Sequence, residues 1–108
     1  MKYLEDSFNN FIKCLDENRF YDAHETIEEI WFPQRFEKND EIALLKGFIN
    51  ASVSFELYKR GRKEASKKVW KNYIKYRPLL YKINSINLNK YHYIARYIER
   101  KRVLLLTN

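Results

Sequence analysis

The chain has 108 residues, 45% of them hydrophobic and 17% aromatic, with a formal charge of +7 and one cysteine. That is enough apolar material for one packed core and excludes a disordered chain, while the lone Cys14 excludes an internal disulfide. Two glycines and two prolines are too few for the frequent turns of an all-β fold, so the expectation is an all-α single domain over residues 1–108.

Apolar spacing predicts six helical segments. The first covers about residues 3–17, with Leu4, Phe8, Phe11, Ile12 and Leu15 on one stripe, and Asn18 suits the left-handed turn that ends it. The second runs over residues 20–31 and is stopped by Pro33. After the polar stretch QRFEKND, Asn39 or Asp40 caps a third helix that reaches Arg60 and is closed by Gly61. Its apolar residues, among them Ile42, Leu45, Phe48, Ile49 and Leu57, spread over most of the circumference. Residues 40–60 are therefore expected to be the central helix of a compact bundle of five to six helices. A fourth helix spans about residues 63–76, Pro78 opens a short fifth to residue 83, and the last covers about residues 89–105.

Acids stand near the amino terminus where a secretory leader would be apolar, and no apolar run approaches the ~18 residues of a membrane span. No membrane association is expected, and a cytoplasmic location is the default. The net charge conceals an asymmetry. Residues 1–56 hold six Lys/Arg against twelve Asp/Glu, and residues 57–108 hold fifteen against two.

The segment AHETIEEIW carries the first chemical signal. At about 100° per residue, His24, Glu28 and Trp31 share the apolar face of the second helix with Phe20 and Ile27. The central helix repeats the anomaly, since Glu56 falls in line with Ile42, Leu45, Ile49 and Ser52. Inward carboxylates repel unless a cation lies between them. One candidate is a divalent metal (zinc, manganese or iron) held by His24, Glu28 and Glu56, with positions left for water. The other is His24 itself, protonated within a buried ion triad. Trp31, Ser52 and Asn50 are expected around the same pocket. HETIE lacks the second histidine of the zinc-protease pattern, and neither His24 nor His92 has the glutamate three residues earlier that di-iron bundles need.

Two blocks carry a family resemblance. FYDAHETIEEIW resembles a His-x-x-x-Glu-x-x-Trp/Tyr signature, and LLKGFINASVSFELYKRGRKEA resembles a Gly-hydrophobic-hydrophobic-Gln pattern followed by a small-residue helix, Arg-Gly-Asn and an alanine. Over about residues 8–80 the chain thus resembles the domain-of-unknown-function family 309 of small bacterial and archaeal helical proteins. The resemblance implies a compact helical bundle and a metal site at His24 and Glu28, and it carries no activity. The chain has Glu56 near a position where the family often carries histidine, Asn50 in place of glutamine, and Asn18 in place of glycine.

Three classes of function follow. Metal-assisted hydrolysis would use an ion on His24, Glu28 and Glu56 to acidify a bound water, acting on an unidentified small molecule. A non-enzymatic module would instead bind an anionic partner such as nucleic acid. Lys63, Lys67, Lys71 and Lys75 recur every fourth residue within 59–77, a segment with nine Lys/Arg and one acid. Charge runs more often mean a solvated face, and no nucleic-acid motif accompanies this one. The third class is assembly of a homo-oligomer through the oppositely charged halves.

Overall fold

The computed structural model describes residues 3–107, so the outermost positions of the expected 1–108 domain, 1–2 and 108, lie outside the described residues. Among the described residues five α-helices follow in order: α1 (Glu5–Asp16), α2 (Phe20–Trp31), α3 (Asp40–Lys59), α4 (Lys63–Tyr76) and α5 (Leu88–Leu106). Short 3₁₀ turns occupy Phe32–Gln34 and Arg77–Tyr81. The expected fifth helix is the second of these turns. Pro78 has no N–H to close an α-helical bond, and the chain tightens into i→i+3 geometry instead. The radius of gyration, 13.0 Å, matches the ~13 Å of a folded single domain of this length.

Two turns of one type set the topology. Asn18 has φ +59° and Gly61 φ +80°, and these are the positive-φ residues of the described chain. In each turn a backbone N–H just past that residue reaches back to close the helix, Arg19 to the Cys14 carbonyl (2.8 Å) and Arg62 to the Leu57 carbonyl (2.9 Å). This is the left-handed cap expected where a helix must stop abruptly. Both turns lie at the same end of the bundle, where the Lys59 ammonium donates to the Asn18 carbonyl oxygen at 3.0 Å. At the opposite end Asn39 caps α3, its side chain accepting from the Ile42 N–H at 2.9 Å.

α3 is the central helix. It packs against α2 on one side and α4 on the other, and α1 and α5 complete the wall. Phe48, fully buried, lies within ring contact of Phe11 from α1, Tyr73 from α4 and Tyr91 from α5. Each such ring removed from water stabilises the fold by about 1.5–3 kcal/mol. α3 and α4 approach through small residues. Ser54 and Ser66 each donate a hydroxyl to the other's carbonyl, at 2.8 and 2.7 Å. Gly47 sits against Tyr76, where an added Cβ would come within 2.9 Å of the tyrosine Cβ. Cys14 is packed beneath the α1–α2 turn, 1% exposed. Among the described residues, no helix is long and apolar enough to cross a membrane.

Candidate functional site

The start of α2 is fixed from both sides. Arg19 bridges Glu17 and Asp22, both at 2.9 Å, and Phe20 inserts into the core against Phe55, with ring centroids 5.4 Å apart. Helical spacing then stacks Tyr21, His24 and Glu28 along one edge. The His24 Nδ1 lies 3.2 Å from the Tyr21 carbonyl oxygen and its Nε2 lies 2.7 Å from the Glu28 Oε2. The Tyr21 ring meets the imidazole edge-on at 5.4 Å. Both ring nitrogens therefore face acceptors, and the 2.7 Å contact is the length of a hydrogen bond from Nε2–H to the Glu28 carboxylate.

Across from this edge stands the end of α3. Val53, Glu56, Leu57 and Arg60, with Arg62 from the turn, close a cleft of about 230 Å³ against Phe20, Tyr21 and His24. Its walls are mainly apolar. Its polar groups carry both signs: the Glu56 carboxylate accepts from the Arg60 Nε at 2.6 Å, and Arg62 makes no side-chain hydrogen bond to the described residues. The Glu56 side chain is only 18% exposed whereas that of Arg60 is 64% exposed, so the arginine covers the acid from the solvent side.

The family model described as "Domain of unknown function (DUF309)" matches residues 8–69. The chain belongs to the DUF309 family. None of the curated proteins and none of the solved structures matches it. The DUF309 segment holds most of α1, all of α2 and α3 and the start of α4, and every residue lining the cleft falls within it. The Gly-hydrophobic-hydrophobic block of the DUF309 resemblance has a structural meaning here, because Gly47 is where α4 presses on α3.

The residues singled out in the sequence divide between several places. His24 and Glu56 border one cleft. Glu28 is bound to His24 but is 43% exposed, on an outer surface shared with Glu25, Glu29 and Pro33 rather than inside. The metal set of His24, Glu28 and Glu56 can be tested on this geometry. Two donors are adjacent, the third is held by Arg60, and no group of three His, Cys, Asp or Glu side chains is gathered as metal ligands among the described residues. The three-ligand arrangement does not form.

Trp31 borders a different hollow, with Arg35, Ile42 and Tyr76. Ser52 is fully buried and donates to the Phe48 and Ile49 carbonyls. Asn50 ties α3 to α4, donating to the Lys46 carbonyl and accepting from Asn72. Lys63, Lys67, Lys71 and Lys75 are all exposed, and the first two border a second cleft. Tyr21, Arg60 and Arg62 were not singled out. The four-residue spacing of Glu56 and Arg60 was the available signal, since such a pair meets on one helix face.

Proposed function

We propose that this chain is a small-ligand-binding domain whose site is the cleft between the start of α2 and the end of α3. The observation that supports this reading is the pairing of apolar walls, Phe20, Tyr21, Val53 and Leu57, with polar groups of both signs, Glu56, Arg60 and Arg62, in one cleft. A ligand that fits has an apolar or aromatic body and a polar end carrying both a donor and an acceptor, as an amide or a heterocyclic edge does. The donor meets Glu56 and the acceptor meets Arg62, with the His24 ring as part of the wall. Pockets of this kind orient a ligand through a few fixed polar contacts while apolar burial supplies the affinity.

A ligand-observed NMR screen of small amides and aromatic heterocycles tests it. Binding that Glu56→Gln and His24→Ala each weaken about tenfold or more, a loss of roughly 1.4 kcal/mol, is the expected result. Ligands that bind wild type and both folded variants alike, or no ligand at all, end the reading.

A second reading keeps a divalent metal at His24 and Glu28. It is favoured by the adjacency of their donor atoms and by the Nδ1 contact to a backbone carbonyl, the support that metal-bound imidazoles commonly have. It requires Glu56 to leave Arg60, and the ion would then supply a Lewis acid beside the cleft. Mass spectrometry of tag-free protein purified without chelator decides between the two. Near-stoichiometric metal that disappears in His24→Ala supports the second reading, whereas metal-free protein that takes up no zinc, manganese or iron removes it.

A further inference from the structure

A second cleft, of about 200 Å³, lies on the other side of the Gly61 turn, between α3, the start of α4 and the end of α5. Phe55, Tyr58, Leu105 and Leu106 give it an apolar floor, and Lys63, Lys67 and Arg102 stand at its rim. The seryl groups of the floor, Ser54 and Ser66, are spent on each other. Two of the three cations are not spent. Arg102 is partly buried, stacked over the Trp70 ring at 4.5 Å, and no carboxylate pairs with it among the described residues. Lys63 lies over the Tyr58 ring at 5.7 Å and likewise has no carboxylate partner there. The one acid of the rim, Glu64, is 91% exposed and reaches only Lys67, at 3.6 Å.

This balance differs from that of the His24 cleft, whose polar groups carry both signs. A guanidinium held on an indole face is already ordered, so little side-chain entropy is lost when an anion arrives. Its forked donors suit a carboxylate or a phosphate. The apolar floor beneath favours a ligand whose anionic head carries a short hydrocarbon tail.

We infer that this cleft is a separate binding site for a small amphipathic anion, its carboxylate or phosphate held by Arg102 and Lys63 and its tail laid on Phe55, Leu105 and Leu106. The site is independent of the proposed ligand cleft at His24. It also assigns a role to part of the lysine row, since Lys63 and Lys67 face this cleft while Lys71 and Lys75 do not line it.

Trp70 is the natural reporter. In a Trp31→Phe background it is the remaining one of two tryptophans, and its emission can be followed against octanoate, octyl phosphate, octanol and acetate. Saturable binding of octanoate or octyl phosphate, about tenfold tighter than octanol or acetate and weakened by a similar factor in Arg102→Gln, is the expected result. The stronger of the two anions identifies the head group. Lys63→Gln, at an exposed position, serves as the second variant should Arg102→Gln unfold, and His24→Ala must leave the titration unchanged. Equal binding of octanol, indifference to both charge variants, loss in His24→Ala, or no saturable signal each overturns the proposal.

Discussion

At the His24 side chain Nε2 and the Glu28 carboxylate meet at the hydrogen-bonding distance of 2.7 Å. That pairing is i,i+4 on one helix and was legible in the sequence. The cross-helix partnership expected for Glu56 was not, because a nearer cation, Arg60, is reached without leaving the helix. Tyrosine hydroxyls carry the clearest titration signal. Tyr73 and Tyr91 have pKa values pushed up by burial and then by bonds to Glu99 and Glu41. Tyr97 is pushed up to about 12 by the same two causes, its carboxylate partner being Asp16. A raised phenol pKa means that the fold favours the neutral hydroxyl. The resulting stabilisation is complete below the unfolded tyrosine value of about 10 and is lost as pH rises through the folded values. An absorbance titration of the phenols should therefore show Tyr97 ionising well above the ordinary tyrosine range, and Tyr73 and Tyr91 only as the helical signal collapses. All nine tyrosines ionising together near pH 10 with helicity intact would contradict this.

The helices themselves were largely written in their ends. Asn18, Asn39 and Gly61 mark three boundaries by chemistry that any reader of the chain can apply, and the structure places the caps there. The 3₁₀ turns were not legible, because Pro33 and Pro78 announce where a helix must change without saying into what. Nor was the reason for Gly47. A glycine inside a helix costs about 1 kcal/mol relative to alanine, so Gly47→Ala would stabilise an isolated α3. In the bundle the new Cβ meets the near end of the Tyr76 side chain at 2.9 Å, and relief requires α4 to shift. A net loss of about 1–3 kcal/mol in urea unfolding is expected. A gain would mean that the two helices part readily.

Across the whole molecule the charge asymmetry survives folding. Every ion pair among the described residues joins groups of one half, apart from Glu56–Arg60, which spans a single helical turn. The acidic α1 and α2 and the basic α4 and α5 are thus not clasped to one another by direct bridges. The fifteen cations of the second half repel one another, and added salt screens that repulsion. Thermal melts should accordingly move up by a few degrees between low-salt buffer and about 0.3 M sodium chloride, where the screening length falls below 8 Å. A downward move would show that attraction between the halves outweighs that repulsion.

Cys14 is the chain's only sulfur nucleophile of its kind, and it is sealed under the first turn. Burial also pushes its pKa up, which keeps it in the unreactive thiol form. A sulfhydryl reagent in solution therefore has to wait until α1 lifts away. Its labelling rate under native conditions is a stopwatch for that one opening, counting excursions too rare for a melt or a spectrum to register.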